Sequence, residues 1–313
     1  MNSKVKILSA LIFFLFITNV IAQTPMEEYI EKTGVEKIKK NIVVDAFSKP
    51  ATHKSFKDGH GKTPYLSSID QLPDTIALIT FHINDLEGIA EGWDYGGGTV
   101  TDSQGNSIAN LIHNQTLKSL KEAFKKRGAI LLIPQEYLNT EEKVNYYFET
   151  FEPEVSKMGK FLNNIEDNRT DKSVCANTYR YLDLGAAFDY KRSQSLGSEL
   201  ANSLNVEAVI SIAVDLYYSK KGVFISKVKM TIHGPNPNPK LDKKYFGQKN
   251  GTGYYDGQLY IGGTLGFKKP IKVIDPKQKK DFHKNFEGLE VIFTCFIEKL
   301  YDEMDIAINK VDK

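Results

Sequence analysis

Two stretches constrain this fold more than any other feature: TIALITFHI at 75–83 and VEAVISIAVDLYY at 206–218. The first is mostly apolar, β-branched and aromatic, and the second is mostly apolar through Val214 and alternates only afterwards. A strand wetted on one side alternates polar with apolar residues, so a strand without alternation is one covered on both faces. The first run therefore reads as a strand buried on both faces, and the second is the strongest strand in the chain.

The segments around them agree. Ile108, Leu111, Ile112, Leu120, Ala123 and Phe124 share one face of a helix predicted over about 108–127. Asn106 or Ser107 can cap its start. Lys125, Lys126 and Arg127 suit the negative end of its dipole, and Gly128 suits the left-handed residue that follows. AILLIP at 129–134 is a further strand, ended by proline. A second helix is expected over about 189–204, with Asn205 placed for the left-handed conformation.

Beyond residue 218 the pattern changes. SKKG makes a turn into VFISKVKMTIH at 223–233, where Phe224, Val228, Met230 and Ile232 alternate with Lys227, Lys229, Thr231 and His233. A proline- and glycine-rich loop at 234–253 leads to a strand at 254–267, whose glycines suggest bulges or close backbone approach. The chain closes with an amphipathic helix over about 284–309, striped by Phe286, Leu289, Phe293, Phe296, Leu300, Met304 and Ala307. At the other end, residues 25–40 are polar and helix-prone, 41–47 (NIVVDAF) is a short strand, and 48–73 reads as loop. Residues 140–190 are the least regular: two short helices split by Pro153, then a polar loop, EDNRTDKSVCANT. The expected fold class is α/β: a mixed sheet flanked by helices, an early βαβ crossover, then an antiparallel meander and a C-terminal helix. One domain over 23–313 is expected, with an insertion at about 135–190.

The first residues point to export. Lys4 and Lys6 precede an apolar run, Ile7 to Ala22, too short for the roughly 20 residues of a membrane span, and VIA stands before Gln23 as a cleavage site. Residues 1–22 read as a secretory signal peptide, leaving a soluble periplasmic or extracellular protein with no transmembrane segment. No cysteine follows the cleavage site, so lipoprotein attachment is not expected. The formal net charge is +2, and Lys4 and Lys6 account for it. A near-neutral mature chain argues against nucleic acid as a partner. Spacing does not decide whether Cys175 and Cys295 pair; two free thiols, one of them buried, is the simpler expectation.

TIALITFHIND, LKSLKEAFKKRGAILLIPQEYLN and LGSELANSLNVEAVISIAVDL together carry a resemblance. They resemble the first strand, the following helix–strand unit and the later helix–turn–strand of the curli-secretion-channel (CsgG-like) family and of the TolB amino-terminal domain. The resemblance implies this fold and a cell-envelope setting, and it implies no catalytic residues. The chain departs from the channel in lacking the lipid-bearing cysteine and a pair of membrane hairpins, so pore formation does not transfer.

Chemistry-bearing motifs are sparse. GHGKTP at 59–64 ends like a Walker A loop, but Phe56 stands where that motif requires glycine and Pro64 follows at once. No G-x-S-x-G elbow occurs, and SLGSEL at 195–200 matches only part of one. EGWDYGGGTV at 91–100 lies between strand and helix, in a predicted glycine-rich loop over about 84–107. About ten residues are expected between Gly98 and the helix, too many for a phosphate cradle. The stretch reads instead as a loop tip offering Trp93, Asp94 and Tyr95 to a partner. Asp85, Glu87, Glu91, Asp94 and Asp102 crowd the same loop without a calcium-binding spacing. His82 and His233 lie near the ends of predicted strands and can approach each other.

The expectation is an exported, non-enzymatic protein that binds a protein or another envelope component through its surface loops, with no cofactor and no metal. The alternatives are a secreted hydrolase using the acids of 84–107 with His82 or His233, and a subunit of a multimeric envelope assembly. The sequence leaves the oligomeric state open.

Overall fold

In a computed structural model of the chain the described residues are 24–44, 72–85, 102–150, 172–182, 193–219, 221–235, 257–275 and 282–309. The signal segment, most of the loop at 48–73, the helix proposed after Pro153, and Trp93, Asp94 and Tyr95 lie outside them.

A seven-stranded mixed sheet organises the rest. Its strands are β1 (Val43–Val44), β2 (Thr75–Asp85), β3 (Ile130–Leu132), β4 (Lys172–Cys175), β5 (Ala208–Ser219), β6 (Gly222–Pro235) and β7 (Gly257–Ile274). The order is β1-β7-β6-β5-β2-β3, with β4 also paired to β2. β5 runs parallel to β2, as does β3, whereas β5, β6 and β7 form an antiparallel meander. The early crossover and the later meander are thus both present, and the two apolar runs are the adjacent central strands β2 and β5.

The helices divide between the two faces. On one lie α1 (Pro25–Thr33), α2 (Val35–Asn41), α3 (Asp102–Lys126) and α7 (Leu289–Asn309). They cover Ile76, Leu78, Phe81, Ile83, Ile212 and Val214. The expected stripe of α7 is fully buried from Phe286 and Leu289 to Met304. Each such large side chain contributes about 1.5–3 kcal/mol of burial. Two small helices, α4 (Pro134–Tyr137) and α5 (Glu141–Asn145), precede α6 (Ser193–Leu204). On the second face Leu200, Ala201 and Leu204 of α6 cover Ala77, Ile79 and Val209.

Local signals account for the helix ends. Thr24 accepts from the Glu27 N–H while the Glu27 carboxylate accepts from the Thr24 N–H, with Pro25 in the first helical turn. Gly128 (φ 81°) and Asn205 (φ 56°) adopt the left-handed conformation expected of them. Arg127 does more than face a dipole: it pairs with Asp302 and Asp305 of α7.

Two expectations need correction. The helix expected from about 108 begins at Asp102, so Asn106 and Ser107 are helical rather than caps. DSQGNS read as loop because its residues favour turns, but tertiary contact overrides that propensity: a Cβ on Gly105 would lie 3.1 Å from Val174, so glycine lets the helix approach β4. The polar loop expected around Cys175 contains β4 itself, a four-residue edge strand too short to show a period.

Candidate functional site

β2 is the point where the chain changes direction. From its carboxyl end the chain passes through α3 on one face to β3, while β5, on the other side of β2, is entered through α6 on the opposite face. β2 and β5 stay paired to the end of β2, where Asp85 meets Leu216, and the carboxyl ends of parallel strands are the usual ligand position in open α/β sheets.

Asn84 and Asp215 are ladder partners at that end of the sheet. The Asn84 amide donates to Asp215 Oδ1 at 2.8 Å, and Lys227 Nζ lies 3.2 Å from Asp215 Oδ2. Asp215 is buried, whereas the Lys227 side chain is 44% exposed. Both carboxylate oxygens are therefore engaged. Neither residue belongs to a recognisable motif, yet each is the first non-apolar residue after Ile83 or Val214.

Below this group the same face of the sheet stays polar. Thr80 Oγ1 lies 3.3 Å from His82 Nδ1, and the His82 ring meets Tyr181 edge-on with centroids 4.9 Å apart. Cys175 is the ladder partner of His82. Burial pushes its thiol up to about 11, although a hydrogen bond from Thr80 opposes that shift. Such a thiol is protonated at neutral pH and a poor nucleophile. Ser211 and Thr231 share a hydrogen bond of 2.5 Å. His233 lies beneath Gly197 of α6.

The two strand histidines are not brought together. His82 pairs with Ala213 and His233 with Val209, on opposite sides of β5 and four residues apart along it, which puts them about 16 Å from each other. A role shared between them is ruled out by the register. Of the loop acids, Asp85 ends β2 and Asp102 begins α3. Gly98 therefore stands four residues before the helix rather than ten, and the distance argument against a phosphate cradle falls. Among the described residues no three His, Cys, Asp or Glu side chains gather as a metal site, and no helix is long and apolar enough to cross a membrane.

A second polar network fastens the edge beside this site. Between β3 and β4 a stretch of β2 has no strand partner on that side. Its carbonyls are met instead by hydroxyls: Tyr137 donates to Leu78 O at 3.2 Å and Tyr147 to Ile79 O at 2.5 Å. The Tyr147 hydroxyl also accepts from the Arg180 N–H, and the Arg180 guanidinium donates to the Tyr147 carbonyl. On α3, Asn106 donates to Cys175 O, and Asn110 accepts from the Asn177 N–H. The segment 172–182 is thus tied to the helix on one side and to Tyr147 on the other.

No family model, curated protein or solved structure matches the chain.

Proposed function

We propose that the chain is an exported, non-catalytic protein of the cell envelope or its surroundings that binds a partner, protein or other envelope component, at the carboxyl ends of β2 and β5. The supporting observation is the polar group at the carboxyl ends of these two parallel strands, Asn84 paired with Asp215 and Asp215 with Lys227. In the chain, the residues carrying Trp93, Asp94 and Tyr95 follow Asp85, the last residue of β2. A binding role fits the chemistry there better than turnover does. Asp215 is held between Asn84 and Lys227, and the Cys175 thiol stays protonated, so neither is poised to move a proton or attack a substrate. The CsgG-like resemblance supports the same setting.

The test has two readouts. Amino-terminal sequencing of the exported chain is expected to start at Gln23. The immobilised full chain is expected to capture a component of the envelope or culture medium that the folded Trp93→Ala variant does not retain. An intracellular, unprocessed chain, or capture indifferent to Trp93, would refute the reading.

A further inference from the structure

Five lysines stand on or beside the sheet face that bears α6. Lys227 and Lys229 alternate along β6 with Val228 and Met230, which enter the opposite core. Lys272 is the ladder partner of Phe224 on the neighbouring strand. Lys268 and Lys269 come from a bulge. Ile225 pairs with Ile271 and Lys227 with Gly266, so Phe267–Pro270 stands against Ser226 alone. Phe267 turns inward against Tyr29, and Lys268, Lys269 and Pro270 are exposed.

The pairing of these charges differs from that across the sheet. There Lys39 pairs with Glu298, Arg127 with Asp302 and Asp305, and Lys299 with Glu303. Here Lys227 is matched by Asp215 and Lys272 by Asp275. Among the described residues Lys229, Lys268 and Lys269 have no acidic partner. Ala213 and Thr264, both small, share rungs with Lys229, and Gly266 and Asp215 share rungs with Lys227. The strip runs from Lys229 past Lys227 to Lys272 over about 17 Å, with about 7 Å between the first two ammonium-bearing positions.

Edge protection explains only part of this. Lysine, proline and a bulge on an outer strand discourage sheet-to-sheet pairing. That accounts for Lys268–Pro270 on β7, but β6 is an inner strand, where Lys227 and Lys229 need another reason. The near-neutral chain also lacks the broad basic field suited to a long polyanion. A short, extended, carboxylate-rich segment fits, because alternate side chains of an extended peptide repeat at about the same 7 Å.

We infer that this lysine strip of β6 and β7 binds an acidic, extended polypeptide segment of a partner protein. The inference rests on the reading of the chain as a binding protein and names the chemistry of its partner.

The probe is a labelled peptide of alternating glutamate and serine, read by fluorescence anisotropy on the full chain. Binding is expected to weaken as salt rises from about 50 to about 200 mM. It should fall roughly tenfold or more in the Lys229→Glu/Lys268→Glu/Lys269→Glu variant. A charge-matched control, Lys32→Glu/Lys37→Glu/Lys40→Glu, changes lysines of α1 and α2 and should bind like the wild type. Unchanged melting of both variants secures the comparison. Equal loss in the two variants, no binding at low salt, or binding to anionic phospholipid vesicles or alginate but not to the peptide would overturn the inference. Trp93-dependent capture that survives such a failure leaves the binding reading standing; loss of both removes it too.

Discussion

Gly197 of α6 rests directly on His233 of β6: a Cβ built at Gly197 would lie 2.2 Å from the Cβ of His233 and 3.3 Å from its Cα. α6 can cover the polar face of the sheet only because this position has no side chain. Helix propensity alone predicts that Gly197→Ala stabilises by about 1 kcal/mol. The contact predicts the opposite, because the clash is with main-chain-proximal atoms that no rotamer change can move. Gly197→Ala is expected to lower stability by about 1–3 kcal/mol in urea unfolding. His233→Ala keeps the clashing Cβ and should not rescue it, whereas His233→Gly should do so in part. A stabilised Gly197→Ala would show that α6 stands further from β6.

Tyr147→Phe removes a hydroxyl that both donates to Ile79 O and accepts from the Arg180 N–H. Two backbone groups lose a partner, one of them buried, against one for Tyr137→Phe. The expected costs are about 1–3 kcal/mol for Tyr147→Phe and less for Tyr137→Phe. Amide hydrogen exchange at Arg180 should rise in the first variant alone.

His113 sits on α3 between the rings of Phe81 and Tyr179, with Nε2 3.0 Å from the Tyr179 hydroxyl. Burial lowers its pKa from 6.5, opposed by a hydrogen bond with Asn114. The unfolded chain then binds the proton more readily than the folded one, so stability falls as pH drops below 6.5 towards the folded value. Melting temperature should decline over that window, and the decline should be shallower in His113→Gln. An unchanged slope would locate the pH response elsewhere.

Cys175 and Cys295 are both free, and burial pushes each thiol up to about 11. Iodoacetamide at neutral pH is expected to leave both largely unmodified in the native chain, and mass spectrometry should find two carbamidomethyl groups only after unfolding. Rapid native labelling of Cys175 would contradict its protonated state.

Much of the fold was legible because its signals are local. Largely apolar runs mark β2 and β5, alternation marks β6, a stripe marks α7, and Gly128 and Asn205 close their helices at the expected positions. What the sequence could not carry depends on partners distant along the chain. Asp102–Ser107 is composed like a loop, yet it is helical where Gly105 admits Val174 of β4. KSVC has no period, and only pairing with β2 makes it a strand. His82 and His233 look equally placed at strand ends, but register alone sets the distance between them. Asn84 and Asp215 are single polar residues after apolar runs, and they become a site only when parallel pairing puts them side by side. Local periodicity determined which segments are strands and helices; the tertiary structure decided which polar groups meet, because hydrogen bonds and steric fit act between residues that the sequence keeps far apart.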